Sequence, residues 1–150
     1  MTLTITRGQD PEATRRILAG LPSWFGIPAA NEHYVTAAGE KDSYLARVGG
    51  ATVGVALVDR HFPETAEIHL IAVAPEHHGS GVGSALVDAL ESDARADGAR
   101  LLEVKTVGPS HDDEGYAATR AFYLARGFLP LEEFQRLDWD GPTVIMVKPL

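Results

Sequence analysis

Alternation of apolar and polar residues marks much of the chain as short strands, and apolar residues three or four apart mark most of the rest as helices. Leu3 and Ile5 alternate with threonines and predict a strand ending at Arg7-Gly8. Asp10-Pro11 offers a capping carboxylate and a proline for the first helical position, so a helix runs from there to about Gly20. Residues 21–28, Leu-Pro-Ser-Trp-Phe-Gly-Ile-Pro, are too irregular for a regular element, and Pro28 starts a second helix reaching about Gly39. Ser43–Val48 and Thr52–Val58 are β-branched and apolar runs split by Gly49-Gly50, a hairpin signal that predicts two antiparallel strands.

A further strand spans Glu67 to Val73. Strict alternation puts Ile68, Leu70 and Ala72 on one face and Glu67, His69, Ile71 and Val73 on the other. After Pro75 a glycine-rich turn leads into Val82, Ala85, Leu86, Ala89 and Leu90 at helical spacing, until Asp97-Gly98 closes the helix. Leu101–Val107 is the next strand, Ala117–Arg126 the next helix with Gly127 terminating it, and two strands follow near Phe134 and Val144–Val147. The order β-α-α-β-β-β-α-β-α-β-β describes an α/β or α+β sheet with helices on its faces.

With 150 residues, 45% of them hydrophobic, the chain forms a single domain over residues 1–150 with a proper core. The absence of cysteine excludes a disulfide framework, a thiol nucleophile and any zinc site with sulfur ligands. Thirteen Lys and Arg against 21 Asp and Glu give a net charge of −8, which repels a polyanion and argues against nucleic acid as partner. The first ten residues lack the basic start, apolar stretch and small-residue cleavage site of a secretory signal, so a cytoplasmic location is expected. The apolar runs fall well short of the roughly 20 residues that a membrane-spanning helix requires.

Chemistry concentrates in the stretch from Ile71 to Leu86. A strand that enters a glycine-rich turn and then a helix leaves unpaired N–H groups at the helix start, where the helix dipole also favours phosphate oxygens. Gly79, Gly81 and Gly83 let those groups approach a ligand without side-chain obstruction. The Gly-Lys-Ser/Thr ending of a Walker loop is missing, and the loop follows the fourth strand rather than the first strand of a dinucleotide-binding unit.

In this stretch the sequence resembles the GNAT superfamily, the Gcn5-related N-acetyltransferases. His78-Gly79-Ser80-Gly81-Val82-Gly83 stands where the family carries its acyl-CoA signature, after Ala72-Val73-Ala74-Pro75, and Ala121–Phe128 resembles its Phe-Tyr-x-x-x-Gly-Phe segment. The resemblance covers nearly the whole chain and implies a mixed, mostly antiparallel central sheet of six to seven strands flanked by about four helices. It implies acetyl-CoA as co-substrate, its pyrophosphate on the backbone of Gly79 to Ser84, its pantetheine arm paired with Ile71, Ala72 and Val73, and Phe122 beside it. His78 departs from the usual Arg or Gln, and Tyr116 from a frequent asparagine. A histidine still donates a hydrogen bond and gains charge only toward a pH of about 6.5.

Acyl transfer to an amine requires a base for the amine and an acid for the leaving thiolate. By resemblance Tyr123 is the acid and Glu67 the base, acting directly or through water; His69 is a second candidate for the base. Phe25, Tyr34, His69 and His111 are expected to line the acceptor side, with Trp24 packing the helices and the carboxylates of residues 109–115 solvated. The implied activity is N-acylation of a small-molecule or peptide amine by direct attack, without a metal, and a homodimer through late elements is compatible with it. A noncatalytic acyl-CoA-binding domain is the alternative. A metal site from His69, His77, His78, Asp112 and Asp113 fits no standard ligand spacing.

Overall fold

Asp10 caps the first helix by accepting the Ala13 N–H at 3.1 Å, and Pro11 opens it. In the computed structural model, which describes residues 2–150, the elements are β1 (Leu3–Arg7), α1 (Pro11–Ala19), α2 (Pro28–Ala38), β2 (Asp42–Val48), β3 (Ala51–Phe62), β4 (Thr65–Val73), α3 (Val82–Ala96), β5 (Leu101–Val107), α4 (Glu114–Ala125), β6 (Leu129–Gln135) and β7 (Pro142–Pro149). The strands form one seven-stranded sheet in the order β1-β2-β3-β4-β5-β7-β6. Every neighbouring pair is antiparallel except β4 and β5. This is the mixed, mostly antiparallel architecture with four helices that the resemblance implies.

Helices cover both faces of the sheet. On one face Val82, Leu86, Val87 and Leu90 of α3 pack on Ala46, Ala56, Ile68, Val104 and Met146, joined by Tyr123 of α4 and by Phe128. On the other, Ile17, Leu18 and Leu21 pack with Ala37 and Ala38 of α2 on Leu45, Val55, Leu57, Leu70 and Ala72.

The bounds of β3 and α4 differ from expectation. β3 continues past Val58 to Phe62, because Asp59, Arg60 and Phe62 keep pairing with β4 across a second register shift at His61, although three of these four side chains are polar. α4 begins at Glu114 rather than Ala117, since Asp113 accepts the Tyr116 N–H at 3.1 Å and nucleates an earlier turn. The faces of β4 also require correction. Leu57 pairs with Leu70 and Val58 with Ile68, so His69 is an extra residue, a β-bulge that inverts the alternation. Ile68 therefore joins Ile71 and Val73 on the α3 face, while Leu70 and Ala72 face α1. His69 turns to the same side as these two, against Tyr34 of α2 at 5.5 Å between ring centroids.

Candidate active site

β4 and β5 pair only over Thr65–Ile68 and Leu101–Val104. Beyond Ile68 the strands part, β4 staying with β3 as far as Val73 and β5 with β7 as far as Val107. The wedge leads into a cavity of about 980 Å³ lined by residues 68–73, by Lys105–Val107, by the loop before α3 and by Tyr123 of α4. Two parallel strands that separate leave backbone groups without partners on their facing edges, a place for an amide-bearing ligand to add itself as a short strand.

The loop at the mouth of the wedge is built for close backbone approach. Gly79 and Gly81 take φ values of +75° and +87°, which side-chain-bearing residues rarely adopt, and nothing lies within 4 Å of a Cβ built at either. Gly81 is the N-cap of α3 and offers no side-chain cap, so the first N–H groups of the 15-residue helix stay available for an anion. Val82 is buried and contributes backbone only, and a Cβ at Gly83 would lie 3.5 Å from the Phe122 ring. Gly79, Gly81, Val82, Gly83, Ser84 and Phe122 line the cavity; Ser80 does not, its hydroxyl donating to the His77 carbonyl at 2.5 Å.

His78 is placed differently from a phosphate ligand. Its Nε2 donates to the Val73 carbonyl at 2.7 Å, and its ring meets Trp24 edge-on at 6.0 Å. The ring thus engages a backbone group that the implied pantetheine arm would use.

Tyr123 is 2% exposed yet lines the cavity, and burial pushes its phenol well above the ordinary 10.0. It stays protonated at any physiological pH and can give a proton but not take one. Glu67 is not the solvated edge carboxylate that its sequence context also allows. It is 5% exposed and lies one residue before the strands part, with His61 Nε2 at 2.5 Å from Oε1 and Lys105 Nζ at 3.8 Å from Oε2. The cavity wall itself holds its neighbours His69 and Lys105 rather than Glu67. His69 Nδ1 is 3.5 Å from Asp59, whose other oxygen holds Lys41 Nζ at 2.6 Å, and its Nε2 is buried without a partner. Desolvation lowers its pKa below the ordinary 6.5, the nearby Asp59 opposing that shift.

One end of the cavity is aromatic. Phe25 and Tyr34 meet edge-on at 5.9 Å, His111 meets Trp139 at 5.5 Å, and all four line the cavity with Tyr116 and Asp138. Trp24, expected to pack the helices, also stands in this wall, its carbonyl accepting from the Tyr116 hydroxyl at 3.0 Å. Sequence reasoning missed Lys105, Asp138, Trp139 and His61. For His61 a signal existed: Asp59 and His61 alternate on β3 as Glu67 and His69 alternate on β4. The histidines at 77 and 78 do not assemble with Asp112 and Asp113. Among the described residues, the side chains of metal-ligand type that cluster are Asp59, His61 and Glu67.

The model of the Acetyltransferase (GNAT) family matches residues 13–128. No curated protein matches the sequence significantly. Among solved structures, a Desulfovibrio desulfuricans protein described as a GNAT-family acetyltransferase superposes with a TM-score of 0.87 at 23% identity, over 99% of both chains. The ribosomal-protein-S18-alanine N-acetyltransferase of Escherichia coli is similar with a TM-score of 0.79 at 21% identity, over 99% of this chain and 94% of that one. A GNAT-family acetyltransferase of Elizabethkingia anophelis with acetyl-CoA bound matches at 0.73 and 18% identity, over 99% and 98%.

Proposed function

Because the chain belongs to the GNAT acetyltransferase family, we propose that it transfers acetyl from acetyl-CoA to a primary amine by direct attack within a ternary complex. The observation that carries this reading is the parting of β4 and β5 directly beside the uncapped, glycine-lined start of α3. The N–H groups of Gly79 to Ser84 would hold the diphosphate. Ile71, Ala72 and Val73 would pair with the pantetheine once the His78 ring leaves the Val73 carbonyl, and Phe122 would pack beside it.

Two protons leave the nitrogen of an ammonium on its way to an amide. Glu67 takes the first, directly or through water, and frees the lone pair; Tyr123 gives its phenolic proton to the departing thiolate and is restored by the second. His69, Phe25, Tyr34 and His111 form the acceptor wall. Its rings and the carboxylate of Asp138 suit a small-molecule or peptide amine whose cationic head is joined to an apolar or aromatic body.

Isothermal titration with acetyl-CoA tests the cofactor site when repeated on Gly81→Glu, whose carboxylate would occupy the open space before the helix N–H groups. Saturable binding by the wild type and loss of binding by a variant still folded by circular dichroism are expected. CoA-thiol release with phenethylamine, spermidine and a tripeptide with a free N-terminal alanine then tests the acceptor. Turnover of phenethylamine ahead of the other two is expected. Binding without turnover would favour the noncatalytic alternative, and absence of binding would overturn the reading.

A further inference from the structure

Glu67 presents a problem that the proposed chemistry does not solve. A carboxylate with a side chain only 7% exposed can take a proton from an incoming amine, but it must return that proton to solvent before the next turnover. Handed back toward the cavity, whose wall holds His69 and Lys105 but not Glu67, the proton would meet the next ammonium substrate. His61, at the end of β3 and outside that wall, has its Nε2 2.5 Å from Glu67 Oε1 and its side chain 47% exposed. One ring nitrogen is therefore against a buried carboxylate while the ring itself reaches bulk water.

We propose that His61 is the proton outlet of Glu67, acting through that carboxylate and never touching the substrate. The inference rests on the reading of Glu67 as base. The amine N–H bond breaks and Glu67 gains the proton; the half-exposed ring, which at rest donates Nε2–H to the ionised carboxylate, exchanges with solvent to its Nδ1–H tautomer; Glu67 Oε1–H then gives its proton to Nε2, and the imidazolium releases the Nδ1 proton to water. That release leaves Nε2–H against the ionised carboxylate, the resting arrangement. One proton per turnover leaves this way, which is the single net proton released when an ammonium and a thioester become an amide and a thiol.

The surroundings favour a proton path over a cation cage. Lys105 approaches the second oxygen of Glu67, and Lys41 holds the second oxygen of Asp59, so each carboxylate near the ring already has an ammonium beside it. The charged groups facing His61 are Asp59 on its own strand, Glu67 on β4 and Glu103 on β5.

The test compares His61→Ala and His61→Gln in the full chain, with acetyl-CoA and phenethylamine, or whichever amine of the panel turns over fastest. Glutamine keeps a hydrogen-bond donor for Glu67 but cannot take up a proton and pass it on, so a structural role would survive it and a relay would not. Both variants are expected to bind acetyl-CoA as the wild type does, with kcat about tenfold lower and KM for the amine unchanged. Added imidazole is expected to raise both rates in proportion to its concentration. A wild-type rate in His61→Gln, a loss that imidazole does not relieve, or a rate that depends on added zinc would overturn the proposal. Glu67→Gln separates the two levels: full activity there removes the base beneath the relay, whereas its loss beside unimpaired His61 variants removes the relay alone.

Discussion

Tyr123 illustrates how one residue's surroundings bear on the role proposed for it. Packed between Phe122 and Phe128, with ring centroids 5.3 Å away on both sides, it has a phenol that water scarcely reaches. Tyr44 and Tyr116 direct their hydroxyls to Asp93 and to the Trp24 carbonyl, whereas the Tyr123 ring lines the cavity. Tyr123→Phe removes one oxygen and almost no packing volume. It is expected to lower kcat about 100-fold while leaving acetyl-CoA affinity and thermal stability near wild type, measured by steady-state kinetics, titration calorimetry and melting. A variant that keeps its rate would transfer the acid role to water. His78 is the contrasting residue: its place in the glycine loop predicts a ligand to phosphate, but a free carbonyl five residues back claims the ring first.

Among the elements, the joint between β3 and α3 couples fold to site. Gly54 lies under the first turn of α3, where an added Cβ would stand 2.9 Å from Val82 and 3.2 Å from Leu86. Both side chains are buried, so the helix has no slack with which to yield. Gly54→Ala is expected to cost about 1–3 kcal/mol by overpacking. Because it would lift the same helix end whose N–H groups are proposed to hold the diphosphate, it is also expected to weaken acetyl-CoA binding; melting and titration calorimetry read the two effects. A stability loss with unchanged affinity would show that the sheet rather than the helix gives way. Element order and type were legible in the sequence because capping residues, hairpin glycines and periodicity are local signals. The inverted alternation in β4 was not, since the extra residue at His69 is defined only by its partner strand. The end of β3 stayed hidden for a related reason: Asp59 and His61 break the apolar run after Val58, and only pairing with β4, Asp59 opposite Glu67, carries the strand through them. Glycine loop, Glu67 and Tyr123 were found as residues in sequence, whereas Asp138 and Trp139 belong to a distant turn that only tertiary folding brings to the cavity.

At the scale of the whole molecule, the polar network around His69 ties stability to pH. Burial lowers the folded pKa of His69 below 6.5, so the unfolded chain binds the proton more readily than the native one. Its contribution is therefore fully present above pH 6.5 and is lost as pH falls through the lower folded value. Melting temperature is expected to decline over that window, and His69→Phe, which fills the space without titrating, is expected to flatten the profile; parallel profiles would exonerate this residue. A different property follows from where the aromatic residues fall. The protein has two tryptophans, and both line the cavity. Trp24 touches the very imidazole that must leave the Val73 carbonyl if a pantetheine is to pair there, and Trp139 stands against His111. All indole emission of the native chain thus originates at the cavity, so the unlabelled protein is its own optical gauge of occupancy, with one lamp at the proposed cofactor side and one at the proposed acceptor side.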